Sequence, residues 1–149
     1  MSTKKVSPIP QGLHSLTAYL VVPDCAKAIA FYKQAFGAKE TMRMDGPGGK
    51  IGHAELHIGD SVLYCADAHP PEHPATSTML CLYVEDCDAV FNRAVAAGGK
   101  VTMPLENKFY GDRIGMLTDP FGQHWGIMTH IEDVSPEEMA ERAKKVMPH

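Results

Sequence analysis

Apolar and polar positions follow the same order twice along this chain. The stretch 16–39 begins with a short apolar run, breaks at an aspartate, continues with apolar residues at helical spacing and ends at a glycine. Residues 78–101 repeat this order, and shifting the first copy by 62 positions places Asp24-Cys25 on Asp86-Cys87. A short apolar run ended by such a break is typical of a buried strand. The pattern therefore predicts a duplicated strand–helix unit.

The residues that bound each helical segment support this interpretation. Asp24 and Asp86 stand where an N-cap side chain accepts a hydrogen bond from the first turn. Gly37 and the pair Gly98-Gly99 stand where a left-handed residue ends a helix. Two helices are therefore predicted, over residues 24–36 and 86–97.

Alternating segments after each helix predict three further strands per copy. The expected strands are 39–45, 51–58 and 62–66 in the first copy, and 100–104, 113–118 and 124–129 in the second. The order is thus βαβββ twice, an α+β class in which the two modules build a cupped assembly of mixed sheets. One helix per module covers one sheet face, which leaves the other face for a ligand.

The boundaries follow from the same pattern. A single domain over 1–149 is expected to contain a first module (13–67), a proline-rich linker (68–77), a second module (78–131) and a C-terminal helix (135–147). Ser135, Pro136 and Glu138 have the order of a capping box with proline in the first turn. That last helix is interpreted as a packing or dimer element.

Composition narrows the class of function. A net charge of −4 and a pI near 6.0 provide no basic stripe, so no nucleic-acid partner is expected. No apolar run approaches the ~20 residues of a membrane span, and no signal-peptide core is present. Four cysteines without a C-x-x-C pair are typical of reduced thiols, so a cytoplasmic protein is predicted.

Four segments carry a resemblance to a known family: 28–38 (AIAFYKQAFGA), 53–61 (HAELHIGDS), 110–113 (YGDR) and 119–125 (DPFGQHW). With the repeat, they resemble the vicinal-oxygen-chelate superfamily of glyoxalases, extradiol dioxygenases and bleomycin-resistance proteins, and in particular its PhnB-like subgroup. The resemblance implies the glyoxalase/bleomycin-resistance fold. It leaves function open, because members include both metalloenzymes and metal-free binding proteins.

In metal-dependent members the ligands lie on the first and last strands of each module. Aligned through the two aspartates and the hairpin glycines, the resemblance places them at Thr17, Leu63, Met79 and Gly126. None of these residues is a histidine, carboxylate or cysteine, which divalent cations of this kind require. No metal and no cofactor is therefore expected.

A different set of polar residues is found on a predicted strand. Residues i, i+2 and i+4 share one face of a strand, so His53, Glu55 and His57 should point the same way. They are predicted to line the ligand cavity beside Leu63, with Glu55 as the catalytic proton carrier and the two histidines tuning it. A merely solvated polar face is the alternative.

Other substrate-binding candidates lie in the second module. Tyr110 and Arg113, on the loop entering its hairpin, could meet an anionic ligand, although an ion pair on the surface would also explain the arginine. His124 is expected to face the cavity with Met79, as a ligand contact or as a polar filler.

Three functions remain open. The first is a metal-independent lyase or isomerase acting on a small, anionic metabolite. The second is a non-catalytic protein that sequesters a small molecule, and the third is a metalloenzyme whose displaced site uses two of the three strand residues with His124. A homodimer is predicted in each case.

Overall fold

The computed structural model describes residues 5–146 of the chain. Its strands and helices are β1 (Ala18–Val22), α1 (Cys25–Phe36), β2 (Lys39–Asp45), β3 (Ile51–Ile58), β4 (Ser61–Asp67), β5 (Met79–Tyr83), α2 (Cys87–Ala96), β6 (Lys100–Asn107), β7 (Asp112–Thr118), β8 (His124–His130) and α3 (Pro136–Val146).

The described chain forms two compact units, one of residues 5–33 with 37–75 and one of residues 34–36 with 76–146. Each contains a four-stranded mixed sheet, in the order β1-β4-β3-β2 in the first and β5-β8-β7-β6 in the second. The first strand of each sheet runs parallel to the last, and the other neighbours are antiparallel. The α+β class and the two βαβββ modules predicted from the sequence are confirmed.

Both helices begin as their caps predict. The side chain of Asp24 accepts a hydrogen bond from the backbone of Lys27, and Asp86 accepts one from Ala89. Gly37 adopts the left-handed conformation that ends α1, with φ of 69°. The second helix ends differently, because its C-cap Ala97 keeps a right-handed conformation and the positive φ falls on Gly98.

The register of β4 corrects one sequence-based expectation. Leu63 pairs directly with Leu56 on β3, and residues paired across antiparallel strands project to the same side of the sheet. Leu63 therefore lies with the buried Leu56 and not beside His53, Glu55 and His57. Matching the two copies through their hairpin glycines missed this because the β3–β4 turn contains two residues and the β7–β8 turn five, so their glycines are not equivalent.

The start of α1 lies over the buried face of the first sheet. Cys25, at the first helical position, places its Sγ 3.3 Å from Sγ of Cys65 on β4. Asp67, at the end of β4, accepts from the backbone N–H of Cys25 at 2.8 Å and from that of Ile51 at 2.7 Å. One buried carboxylate thus joins α1, β3 and β4.

In the second unit a threonine hydroxyl takes the place of this carboxylate. Thr129, which lies 62 positions after Asp67, accepts from the N–H of Cys87 at 2.9 Å and donates to the carbonyl of Val84 at 2.8 Å. Trp125 and Ile127 are buried on the same side of β8. Helix α2 packs closely there, since a Cβ added to Gly115 would lie 2.7 Å from the ring of Phe91.

The segment between the modules and the C-terminal helix are ordered by local bonds. His69 and His73 exchange two backbone hydrogen bonds around a cis Pro70-Pro71 bond. The Ser135 hydroxyl accepts from the N–H of Glu138, as the capping box predicts. None of the helices in the described part of the chain is long and apolar enough to span a membrane.

Candidate functional site

Two tyrosines, a histidine and a glutamate gather on the face of the first sheet that lies opposite its buried face. Tyr19 pairs with Tyr64 across the parallel β1–β4 ladder, and Tyr64 pairs with Glu55 across β4–β3. His53 lies two residues before Glu55 on the same face. We call Tyr19, His53, Glu55 and Tyr64 the Tyr19 cluster.

A hydrogen-bond chain runs through three members of the Tyr19 cluster. The Tyr19 hydroxyl is 2.8 Å from Nδ1 of His53, and Nε2 of His53 is 3.2 Å from Oε2 of Glu55. An ionised carboxylate only accepts hydrogen bonds, so Nε2 carries the proton in the neutral imidazole. Nδ1 then accepts from the Tyr19 hydroxyl. The chain has one direction, from phenol to imidazole to carboxylate.

Aromatic contacts fix the imidazole in this position. The Tyr64 ring meets the His53 ring edge-on, with centroids 4.7 Å apart, and it meets the Tyr19 ring at 5.5 Å. Edge-to-face pairs at such distances are favourable. The side chains of His53 and Glu55 are 22% and 26% exposed, so the chain is reachable from solvent without being fully hydrated.

Burial raises the pKa of Tyr19, and the thiols of Cys65 and Cys25 and the phenol of Tyr64 add to this shift. A phenol with a raised pKa remains protonated at neutral pH. Tyr19 is therefore a hydrogen-bond donor at rest, and it becomes a base only if His53 takes its proton.

Tyr19 also lines a cavity of about 380 Å³ in the first unit. The other lining residues come from the ends of the strands and from the loop after β4: Val21, Gly52, Ala66, Asp67, His69 and His73. The volume falls within the ~300–1,000 Å³ typical of small-molecule sites. Tyr19 thus connects the cavity to the His53–Glu55 pair.

His57 is not part of this hydrogen-bond chain, and no contact in the described residues supports its predicted tuning of Glu55. It shares the face of His53 and Glu55, as alternation predicted, but it pairs with Val62 and Lys39 and its side chain is exposed. Within residues 5–146 it makes no hydrogen bond to Glu55.

Arg113 does not lie with the other substrate-binding candidates. It pairs with Thr129, on the side of the second sheet where α2 packs. Its guanidinium binds both carboxylate oxygens of Asp88, at 2.7 and 3.0 Å, and also Oδ1 of Asn107. These bonds agree with the ion pair that was the alternative interpretation of Arg113, and its contact with an anionic ligand stays a prediction.

Tyr110 lies on the β6–β7 loop, where its ring contacts Phe109. His124 and Met79 are directly paired across β8 and β5 and share one face of the second sheet, as expected. His124 bonds through Nδ1 to Thr118 and through Nε2 to Ser77, at 3.1 and 3.2 Å. These bonds agree with a polar filler, and its role in ligand binding stays a prediction.

The residues at the family's metal-ligand positions do not fit a divalent cation. With the register corrected, the β4 position is Tyr64 in place of Leu63, beside Thr17, Met79 and Gly126 in the other strands. A phenol, a hydroxyl and a thioether compete poorly with water and chelators for such ions. Residues 5–146 also contain no group of three histidine, cysteine or acidic side chains placed to hold a metal.

The sequence did not identify Tyr19, Tyr64, His69 or His73 as site residues. Two tyrosines in separate apolar strands become neighbours only when β1 pairs with β4, and that register is not visible in a single sequence. Both histidines lie in the stretch 68–77 that the sequence predicts to be a proline-rich linker. Backbone bonds between them bring the two residues together.

Comparison with known proteins agrees with the fold. Residues 12–127 match the model of the Glyoxalase/Bleomycin resistance protein/Dioxygenase superfamily, and the chain belongs to that family. An uncharacterised protein of Mycobacterium bovis is 39% identical over 135 residues, covering 84% of this chain and 89% of that protein.

Solved structures show the same architecture. Protein PA1353 from Pseudomonas aeruginosa superposes with a TM-score of 0.66 at 30% identity, covering 78% of this chain and 98% of that one. A PhnB protein from Bacillus cereus superposes with a TM-score of 0.64 at 22% identity, over 78% of this chain and 99% of that one.

Proposed function

We propose that the protein binds a small metabolite in the cavity beside Tyr19 and transfers a proton on it without a metal, as a lyase or isomerase. The observation that supports this most directly is the chain from Tyr19 through His53 to Glu55, with Tyr19 at the cavity wall. Proton transfer needs a donor or acceptor within hydrogen-bond reach of the ligand and a second group that takes up the charge.

The hydrogen-bond chain of Tyr19, His53 and Glu55 supplies both the group that exchanges the proton and the group that takes up the charge. A proton leaves a carbon or oxygen of the ligand for the Tyr19 oxygen as the phenolic proton moves to Nδ1 of His53. The imidazolium that forms is stabilised by Glu55 at Nε2. Return of the proton to another ligand atom completes an isomerisation, and loss of a leaving group in between completes an elimination. Glu55 thus acts through His53 and not directly on the ligand.

The charges around the cavity point to a neutral or cationic ligand. Asp67 is the charged residue in the cavity wall, and the remaining polar wall groups are a phenol and two imidazoles. Arg113, on which the expectation of an anionic ligand rested, is bound to Asp88 and is not among the residues that line this cavity. An amine, an aldehyde or a ketone fits this wall better than a carboxylate or phosphate.

Solvent exchange tests the proposal before any substrate has been identified. We expect the protein in D₂O to exchange carbon-bound hydrogens in some members of a panel of small aldehydes, ketones and amino-ketones, followed by ¹H NMR. Carboxylates of equal size form the contrast set. Tyr19→Phe and Glu55→Gln should each lower the exchange rate at least tenfold, about 1.4 kcal/mol.

His57→Gln is the matched control, because it changes an exposed histidine on the same strand and face. It should leave the exchange rate unchanged, and treatment with a chelator should do the same. Equal losses of exchange rate in His57→Gln and Glu55→Gln would contradict a proton path through Tyr19, His53 and Glu55. Loss of exchange with the chelator would favour a metalloenzyme with a displaced site.

A non-catalytic binding protein is the second candidate, favoured by the aromatic ring that Tyr19 contributes to the cavity wall. Ligands that raise the melting temperature without any hydrogen exchange would establish it. Cytoplasmic location and a homodimer remain proposals as well. The first is supported by four cysteines that carry no disulfide, and the second is tested by light scattering.

A further inference from the structure

The two buried cysteines of the first unit lie almost within bonding distance. Cys25 and Cys65 are separated by 40 residues, yet their sulfurs are 3.3 Å apart and both side chains are fully buried. A disulfide has an S–S length of about 2.05 Å, so an approach of about 1 Å would close the bond. We propose that Cys25 and Cys65 form a reversible redox pair that closes to a disulfide under peroxide, independently of the function proposed above.

The fold holds the two sulfurs together through neighbouring bonds. The backbone N–H of Cys25 is bound to Asp67, which lies two residues after Cys65 on the same strand. Cys65 pairs with Leu20 of β1 and with Ala54 of β3, so its position in the middle of the sheet is fixed on both sides. The pair therefore results from secondary structure and not from flexible loops.

The two thiols differ in chemical role. Cys65 lies in the middle of the first sheet, whereas Cys25 is the first residue of α1. Its thiolate attacks one oxygen of hydrogen peroxide, which gives a sulfenic acid and releases hydroxide. The Cys65 thiol then attacks the Cys25 sulfur, the S–S bond forms and the sulfenic oxygen leaves as water. Two thiols are oxidised and one peroxide is reduced to two waters.

The second unit contains a built-in comparison. Cys87 is the first residue of α2, 62 positions after Cys25, and it is also buried. The position that corresponds to Cys65 is Ile127, so no second sulfur lies across from it. Helix position and burial are shared, but Cys87 has no facing thiol at this position, and its Sγ lies instead 3.6 Å from the carbonyl oxygen of Arg113.

Peptide mapping after peroxide treatment tests the proposal. The Cys81→Ser variant is used, since Cys81 is exposed and would otherwise join molecules together. Folded protein is exposed to hydrogen peroxide, unfolded and alkylated. We expect the peptides of Cys25 and Cys65 to be joined and unalkylated, with the loss of two hydrogens in mass, while Cys87 is alkylated. Dithiothreitol should restore alkylation of both.

Two results would overturn it. One is alkylation of Cys25 and Cys65 to the same extent as Cys87, and the other is conversion of either to a sulfinic or sulfonic acid without a cross-link. Oxidation should also raise the melting temperature of the Cys81→Ser protein by about 5 °C, because the bond closes a long loop. In the Cys65→Val variant this rise should vanish, because Cys25 then has no thiol with which to form the cross-link. If that variant does not fold, peptide mapping of the parent still decides.

Discussion

The two sheets share one framework but differ in the chemistry of one face. Pairing in the strands and the offset of the repeat identify equivalent positions in the two units. The positions of Tyr19, His53, Glu55 and Tyr64 in the first sheet are taken in the second by Cys81, Ile114, Met116 and Gly126. The fold forms with either set, so the hydrogen-bond chain of the first sheet is not needed to build it. This comparison is the strongest argument that the Tyr19 cluster serves a function.

The second unit has a polar network of its own, at the end of its sheet. Asp112 is buried and accepts from the Tyr83 hydroxyl at 2.6 Å, which is the main reason that the pKa of Tyr83 is raised to about 12. His130 bonds to Asp112 through Nδ1 and to Asp133 through Nε2. This network fastens the segment after β8, whose backbone also bonds to the carbonyl of Gly111. We interpret it as structural.

The largest expected difference in stability between the units concerns the side chain that binds the start of the helix to the last strand, Asp67 in the first unit and Thr129 in the second. Asp67→Ala leaves two buried N–H groups without their acceptor, those of Cys25 and Ile51. Each unsatisfied group costs ~1–3 kcal/mol, so we expect a loss of roughly 2–5 kcal/mol in the free energy of unfolding. The matched variant Thr129→Ala removes a neutral acceptor of one N–H and should cost only about 1–2 kcal/mol.

Urea unfolding of both variants measures this difference. Equal losses would show that water replaces the carboxylate in the first unit. The two joints would then be equivalent despite their different residues.

The second difference is one of packing between helix and strand. Gly115 and Ala54 occupy equivalent strand positions, and Phe91 and Ile29 equivalent helix positions. Phe91 fills the space beside Gly115, so Gly115→Ala forces the Phe91 ring to move. This should lower the free energy of unfolding by about 1–3 kcal/mol. Combined with Phe91→Ile, which restores the pairing of the first unit, the substitution should cost less than the two single changes added together.

A double-mutant cycle on unfolding free energies measures this coupling. Strict additivity would mean that the two units fill their interiors independently at this position. The residue sizes at Phe91 on α2 and Gly115 on β7 would then not depend on each other.

Most of the fold could be predicted from the sequence, because local signals agree with the global pattern. Asp24 and Asp86 mark the helix starts, and the apolar alternation of β3 places Ala54, Leu56 and Ile58 on the buried face as the structure has them. Prediction from the sequence failed at the hairpin turns. Their unequal lengths shifted the matching of the two copies by one residue, and a shift of one reverses the face of a strand. Leu63 was misplaced for that reason alone.

The candidate site was less accessible to sequence reasoning. His53 and Glu55 could be found because they lie on one strand, where spacing determines direction. Tyr19 and Tyr64 required the pairing of β1 with β4. An ion pair of Arg113 was one of its two interpretations, but its partner Asp88 could not be identified, because it stands at the start of a helix far from Arg113 in the sequence.

The smallest expected effect is a pH dependence of stability that comes from His130 in the polar network of the second unit. Asp112 and Asp133 raise the pKa of His130 above its ordinary 6.5, against a smaller opposing effect of desolvation. A raised pKa in the folded state means that the charged histidine stabilises the protein fully below pH 6.5. That contribution is lost as the pH rises through the pKa of the folded state. The effect should amount to a few degrees at most, since His130 is half exposed and such pairs are screened.

Melting temperatures at a series of pH values test this for wild type and His130→Gln. The difference between the two proteins should be largest on the acidic side and should shrink as the pH rises past neutrality. Asp133→Asn removes one of the two carboxylates and should weaken the pH dependence without abolishing it, because Asp112 still bonds to Nδ1. A difference that instead grows with pH would mean that neutral His130 is the stabilising form. Asp112 would then be held mainly by Tyr83, and the network would depend on hydrogen bonding and not on charge.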